Sequence, residues 1–460
     1  MKKLNIKILY VILALIMAFA CVGCSNPLKE DDTPVTPPVS SSGPTFDFSN
    51  AIPPTNISSV TINYNEDKYL SSAKELSLTS AIDEVYQSVV VINTTAKGSD
   101  GETVLGSASG VIVDITTDGD VGQNVCYVFT CYHVVENYVD IEVSLPKVAV
   151  AGTGANAYYD YANVDFSTYT FTTKGSNPNV AYVGGDKSTD VAVFFVKLDK
   201  YPSLKVTKAP IVNVKKRPYT VGQTVFAVGN SAGYPSTASS GILSFVNRET
   251  SVSGVGTMQL LQFDTPINHG NSGGGLFNLY GELVGITNSG HDNYNSIAFA
   301  IPATTISATN GITESQDNGF IYIATELIKT AWSDGNGNFN FGYVTGRWKW
   351  GIGVSANTNN YPIVTSVETD SIFLNKVAVN DVITGFSYPD KQGGRRTINL
   401  NNSGAISAYE YFANSYDDMK KIVSVGDEIA LTVLRNNATL TVTARLKQTI
   451  YRDTGKGLGQ

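Results

Sequence analysis

Between residues 88 and 301 the chain runs as short apolar segments divided by glycine, asparagine and aspartate, a rhythm that constrains the fold more than any other feature. The segments are 88–93, 108–115, 125–130, 139–145, 191–198, 224–229, 241–246, 258–263, 275–279, 282–287 and 296–301. Runs of that size, bounded by turn formers, are strand length and too short for a helix that must bury one face. Their spacing predicts an all-β barrel or sandwich, not alternating β and α units. The 42 glycines and 25 tyrosines fit a turn-rich, strand-rich protein. At 460 residues the chain is long enough for two or three domains.

Helical signals are few. A short helix is predicted over 81–86, capped by Ser80, and another over 321–332, following a polar stretch over 310–319. A third is expected after a capping box of Ser415 and Asp418, ending near Val423. Further strands are expected around 351–355, 362–367, 381–387, 428–435 and 438–446.

The N-terminus reads as an export signal. Lys2, Lys3 and Lys7 precede an apolar run over 8–20, too short for a confident membrane span. The run ends in Cys21-Val22-Gly23-Cys24-Ser25, which resembles a bacterial lipobox, with Cys24 the cysteine that would carry lipid. Two or more acyl chains, at about 0.8 kcal/mol per buried methylene, would hold the protein to a membrane. Residues 25–58 are rich in proline, serine and threonine and behave as an extended tether.

Composition excludes other classes. A net charge of −8 without a basic cluster in the body of the chain argues against nucleic acid. With 3 histidines and only Cys126 and Cys131 beyond the signal, neither a metal nor another cofactor is predicted. On a strand those two cysteines would stand about 16 Å apart on opposite faces and could not pair.

Three residues carry the chemistry. Gly270-Asn271-Ser272-Gly273-Gly274 can make a tight turn that aims backbone N–H groups at one point beside a serine hydroxyl. His133, closing the apolar segment before Val134-Val135, is the candidate base. The orienting carboxylate is expected to be Asp190, which opens the apolar segment 191–196, whereas Asp186 in its Gly-Gly-Asp-Lys turn is expected to be solvated. The order His, Asp, Ser is that of chymotrypsin-like proteases and not of subtilisins or α/β-hydrolases.

At these residues the sequence resembles the HtrA (Deg) family of trypsin-like serine proteases over most of residues 80–447. The matching segments are Ser107-Ala108-Ser109-Gly110-Val111, 130–135, Thr189-Asp190-Val191-Ala192-Val193, Val225-Phe226-Ala227-Val228-Gly229-Asn230, Ser240-Gly241-Ile242-Leu243-Ser244, 268–274 and Phe299-Ala300-Ile301-Pro302. The resemblance implies a mainly β protein: a chymotrypsin-like double β-barrel protease domain followed by an α+β PDZ-like domain. It implies oxyanion N–H groups at Gly270 and Ser272, and substrate pairing along Asn288, Ser289 and Gly290. It implies a pocket of Pro266 and Ile267 with walls from Thr287 and 298–300, suited to small or medium aliphatic side chains; Asp264 is the nearest carboxylate. His269 and Gly275 replace prolines usual in the family, which leaves the oxyanion loop less constrained, and an insertion lengthens 147–180.

Gly351-Ile352-Gly353-Val354 resembles the loop with which PDZ domains receive a peptide carboxylate. The division expected is a lipoprotein signal peptide over 1–24, a linker over 25–75 and the protease over 76–305. A linker with a connecting helix over 306–335, the PDZ-like domain over 336–447 and a tail over 448–460 follow. The implied function is endoproteolysis of unfolded extracytoplasmic proteins by a membrane-anchored bacterial lipoprotein. Peptide C-termini would be partners of the second domain, and a homotrimer is implied for the family, though no trimer contact is legible here. Two alternatives stay open: a non-proteolytic chaperone or peptide-binding scaffold, and a serine esterase using Ser231 in Gly229-Asn230-Ser231-Ala232-Gly233.

Overall fold

The computed structural model describes residues 57–450, apart from 65–72, 98–102, 137, 155–156, 174–177, 253–254, 292–293, 306–318, 334–338 and 391. Cys24, the signal, most of the linker and the end of the tail lie outside the described residues.

The first half is antiparallel. After β1 (Val60–Ile62) come β2 (Val89–Lys97), β3 (Thr103–Val113), β4 (Ile115–Thr117), β5 (Val125–Cys131) and β6 (Tyr138–Ala151), then β7 (Tyr158–Thr172), β8 (Val180–Asp186) and β9 (Val191–Lys197). Seven of them form one sheet in the order β7-β6-β2-β3-β5-β9-β8, and β1 pairs with β4. Across the connection between its two edge strands, the N–H of Asn179 donates to Thr172 O at 3.0 Å. All of β5 (VCYVFTC) is buried, and β9 (VAVFFVK) nearly so, because both lie inside the sheet with apolar side chains to offer either face. Cys126 and Cys131 are free and buried there. The Tyr/Asn/Thr-rich insertion becomes the long β6–β7 hairpin.

A second set follows: β10 (Thr224–Ser231), β11 (Tyr234–Val252), β12 (Gly256–Phe263), β13 (Gly275–Asn278), β14 (Leu283–His291) and β15 (Tyr294–Pro302). These close into a barrel in the order β10-β11-β12-β15-β14-β13. The double-barrel architecture expected from the sequence is present, and its two halves share one apolar core.

The helices differ in detail from expectation. The first runs Leu78–Val85, with Ser77 and not Ser80 capping it. Phe320–Thr330 follows the expected connecting segment, yet Phe320, Ile323 and Leu327 are fully buried in the first core, with Phe320 edge-on to Phe129. The change of core falls between Val344 and Trp350. After the short pair β16 (Trp332–Ser333) and β17 (Phe339–Asn340) comes a second sheet: β18 (Ile352–Ala356), β19 (Pro362–Val367), β20 (Val382–Pro389), β21 (Arg395–Asn399), β22 (Glu428–Arg435) and β23 (Ala438–Arg445). Its order is β18-β19-β20-β22-β23 with β21 on β20. The early residues of β22 alternate buried and half-buried, the period of a sheet with one covered face. The helix Ala408–Lys420 is capped by Ser407; Ser415, expected as a cap, lies buried inside it. Among the described residues no helix is long and apolar enough to cross a membrane.

Candidate active site

Strand register brings His133 and Asp190 together. Cys131, the last residue of β5, pairs with Val191, the first of β9, so the turn after one strand faces the turn before the other. Tyr132 N–H donates to Asp190 O at 3.0 Å and His133 N–H donates to Asp190 Oδ1 at 2.8 Å. The imidazole closes the contact, with Nδ1 at 2.7 Å from Asp190 Oδ2. An ionised carboxylate only accepts, so Nδ1 carries the proton and Nε2 is left as the base.

Asp190 is fully buried and takes up a left-handed backbone, φ 55°. A charge so placed needs several donors. Besides His133 it has Asn288 Nδ2, donating to Oδ2 at 2.6 Å. Burial by itself pulls the His133 pKa down, but the hydrogen bond to Asp190, the charge of Asp190 and the charge of Glu136 outweigh it and hold the value above 6.5. Among the described residues Nε2 has no protein partner, and the side chain is 42% exposed.

Ser272 sits on the turn expected of it, and the glycines are there for space. A Cβ on Gly273 (φ 85°) would stand 2.1 Å from Thr130 Oγ1, and one on Gly270 (φ 94°) 2.1 Å from Asn230 O. Ser272 O accepts from Ser109 N–H at 3.0 Å, and Gly273 N–H donates to Thr287 O at 2.8 Å. Among the described residues the N–H groups of Gly270 and Ser272 have no protein acceptor, the condition expected of oxyanion donors. The Ser272 hydroxyl donates to Asn288 O at 3.1 Å and makes no hydrogen bond to His133 in this resting geometry.

Several residues stand differently from the sequence expectation. Asp186 is buried, not solvated, and accepts from Ser188 Oγ and Thr189 Oγ1. Thr287, expected as a pocket wall, is buried and gives its hydroxyl to Asn271 O and Gly274 O, propping the nucleophile turn. Asn288, expected only to pair with substrate, sends its side chain to Asp190, a role sequence reasoning missed; an amide just after a buried apolar strand was the signal for it. Ile267 packs beside Gly290, where a Cβ would meet its Cγ1 at 3.6 Å, while Pro266 is exposed and its carbonyl accepts from Ser239 Oγ. Ser289 is half-buried and Gly290 exposed. Asp264 Oδ1 accepts from Ile242 N–H at 2.7 Å, which commits that carboxylate away from the pocket.

The loop lacking its usual prolines is braced from outside. Ser109 Oγ donates to Gly270 O at 2.7 Å and accepts from Asn230 N–H, and Ala232 N–H donates to His269 O at 2.7 Å. Gly275 is enclosed by Phe277 and Leu283.

Ser231 is no nucleophile elbow. It ends β10, Ala232 and Gly233 turn with φ 52° and 81°, and Tyr234 begins β11, so a two-residue hairpin stands where an esterase needs a helix. Its hydroxyl accepts from Asn268 Nδ2.

Cys131, His133 and Asp190 place potential ligand atoms within 4.8 Å of one another. The imidazole and carboxylate are hydrogen-bonded to each other, and burial, reinforced by Asp190, pushes the Cys131 thiol far up.

Gly351, immediately before β18, has φ 69°, and a Cβ there would lie 2.6 Å from Ser371 Cα. Beside it Trp350 packs on Tyr416 of the helix Ala408–Lys420, ring centres 4.7 Å apart. Ile352, Gly353 and Val354 are half-buried along β18, which among the described residues is an edge strand paired with β19.

Residues 108–286 match the family model of the trypsin-like peptidase domain. Similar curated proteins include the serine endoprotease DegS of Salmonella typhimurium, 27% identical over 56% of this chain and 64% of its own length. The chloroplastic protease Do-like 5 of Arabidopsis thaliana is 29% identical over 46% and 61% respectively. A probable periplasmic DegP-like serine endoprotease of Halomonas elongata is 40% identical over 26% and 24%. The chain thus spans less than two thirds of the length of these relatives. A serine endoprotease structure from Yersinia pestis aligns over 82% of this chain and 99% of its own, at 21% identity and a TM-score of 0.41.

Proposed function

We propose that this chain is a serine endopeptidase of the HtrA type that hydrolyses unfolded extracytoplasmic polypeptides. One observation carries the reading: His133 Nδ1 is held at 2.7 Å by a buried Asp190, which Asn288 joins to Ser272, and among the described residues two N–H groups of the serine's turn have no protein acceptor. The similarity of residues 108–286 to trypsin-like peptidases supports it.

When substrate binds, the Ser272 hydroxyl turns from Asn288 O to His133 Nε2; such bonds are often unmade in empty sites. Ser272 Oγ attacks the carbonyl carbon as Nε2 takes its proton, and Asp190 stabilises the imidazolium. The oxyanion is received by the N–H groups of Gly270 and Ser272, a contribution of about 3 kcal/mol for each donor in well-studied cases. His133 then protonates the leaving amine, and water hydrolyses the acyl-enzyme by the same steps. Residues 288–290 pair with the substrate backbone as an added strand, and Pro266 and Ile267 line a small apolar pocket.

The second sheet is read as a PDZ-like domain whose loop Gly351-Ile352-Gly353-Val354 receives a peptide C-terminus along the edge of β18. Amidated peptides binding as well as free acids would remove this part. The "periplasmic" in one relative's name supports an extracytoplasmic location, and lipid on Cys24 would supply the membrane anchor, which intact mass of the mature N-terminus tests.

The test of activity is casein digestion together with fluorophosphonate labelling. Wild type should cleave and be labelled at Ser272, and Ser272→Ala should do neither. The resting Ser272–Asn288 hydrogen bond favours a second reading, a peptide-binding scaffold without hydrolysis. Under that reading neither cleavage nor labelling occurs in wild type.

A further inference from the structure

Asp190 holds a backbone conformation that costs a non-glycine residue energy and persists only where its surroundings impose it. What imposes it is the turn 186–190. Thr189 N–H donates to Asp186 O at 3.3 Å, and Asp190 N–H to Lys187 O at 3.3 Å. Inside the turn lies the Asp186 carboxylate, 1% exposed, with Ser188 Oγ 2.9 Å from both its oxygens and Thr189 Oγ1 2.7 Å from Oδ2. A buried carboxylate also needs a counter-charge, and that comes from a distant part of the chain: Arg347 Nε is 3.6 Å from Asp186 Oδ2.

Arg347 stands at the seam where the first core ends at Val344 and the second begins at Trp350. Its segment is fastened from both sides. Gly342 N–H donates to Val183 O at 2.8 Å, and Gly342 forms a bridge with Gly184 at a distance no side chain would allow: a Cβ on Gly184 would be 2.6 Å from Gly342 O. On the other side Thr449 N–H donates to Arg347 O at 2.8 Å, and Gln448 bonds Gly346 N–H and Val344 O. The guanidinium is therefore presented to Asp186 by a backbone with little freedom.

We propose that Arg347 is a positioning residue for the reaction: from the seam between the two cores it anchors Asp186, and through the turn 186–190 it sets the aim of Asp190 at His133. The inference rests on reading His133, Asp190 and Ser272 as the triad. Loss of Arg347 leaves Asp186 buried without its cation; the carboxylate moves toward water and draws Ser188 and Thr189 with it, and Asp190 is displaced from Nδ1.

The charged groups around His133 make the sign of the effect diagnostic. Asp190 and Glu136 both raise its pKa, and Glu136 is paired with Lys187, which belongs to the same turn. Weaker contact with Asp190 lowers the His133 pKa. Release of Glu136 from Lys187, or the mere removal of a nearby cation, raises it.

The experiment is an NMR titration of the imidazole signals, of which the chain has 3, in full-length Ser272→Ala protein with and without Arg347→Ala. Expected is a fall of about half to one unit in the His133 pKa in Arg347→Ala, with Arg347→Lys restoring most of it. In active protein kcat should fall about tenfold at unchanged KM. If Arg347→Ala does not fold, Arg347→Gln, which fills similar space and removes only the cation beside Asp186, should give the same fall. An unchanged or raised His133 pKa in folded protein, even with a lower Tm, overturns the proposal. The titration needs no turnover, so it stands or fails apart from the peptidase reading: an inactive wild type whose His133 pKa falls in Arg347→Ala would sink only the latter.

Discussion

Ser231 and Ser272 are both glycine-flanked serines with an asparagine directly before them, and they end in opposite roles. The glycine after Ser231 supplies a left-handed residue for a hairpin, so the chain returns on itself and the hydroxyl stays at the strand end, 8% exposed. The glycines around Ser272 allow the backbone to press against Thr130, Ser109 and Asn230, and among the described residues the N–H groups of Gly270 and Ser272 have no protein acceptor. The regions also touch: Asn230 and Ala232 of the hairpin, with Ser109, hold the carbonyls of Gly270 and His269. A Gly-Asn-Ser-x-Gly pattern thus says nothing by itself about nucleophilicity. What separates the two is whether β5 and β9 bring a histidine and a buried carboxylate alongside.

The largest expected effect breaks the pair apart. Ser272→Ala should lower kcat by at least about 10⁴-fold, with Tm hardly altered, whereas Ser231→Ala should stay within about twofold. Casein assays on both variants decide it, and the reverse ranking would return the esterase reading.

The brace can be removed next. Ser109→Ala deletes the hydroxyl between Gly270 O and Asn230 N–H, and should cost about 10- to 100-fold in kcat with little change in KM, because Gly270 N–H loses its aim. A loss confined to KM would mean that the brace serves binding and not the oxyanion.

Pocket selectivity should be smaller. Cleavage is expected after Val, Ala or Ile and not after Arg or Lys, since Asp264, the carboxylate nearest in sequence, is bonded to Ile242 N–H. Each fitting or missing methylene changes preference by only about 1–3 kcal/mol, so choice among aliphatics should be broad. Dominant cleavage after Arg in a peptide-library digest would overturn the pocket.

The smallest effect is in the acid limb of kcat/KM. His133 must be neutral to accept the proton, and its pKa lies above 6.5 because Asp190 and Glu136 outweigh burial. Activity should therefore fall as pH drops through a value above 6.5, and Glu136→Gln should move that limb toward lower pH by a fraction of a unit. A limb unmoved or shifted upward would show that Glu136 does not bear on the imidazole.

Local pattern placed several strands, because an apolar run of strand length reports its own burial: β5, β9, β10 and β14 fall where the segments predict, whereas β7 and β8 coincide with no expected segment. The candidates His133, Asp190 and Ser272 were likewise chosen by residue type and order, and the structure holds the first two together at 2.7 Å. Caps were less legible, since Ser77 or Ser80, and Ser407 or Ser415, satisfy the same local rule and only packing selects between them. Burial of polar groups was least legible. Asp186 reads as a turn residue facing water, yet it is buried with Ser188, Thr189 and, from far along the chain, Arg347 beside its carboxylate. Asn288 reads as an ordinary strand-end residue until β14 is laid beside Asp190. An apolar run of strand length could be read directly from the sequence, whereas which polar and charged side chains are enclosed, and beside what, became visible only in the folded chain. The reason is that a hydrophobic run acts within a few residues, whereas a buried charge or an oriented N–H is settled by partners that only folding brings within about 3 Å.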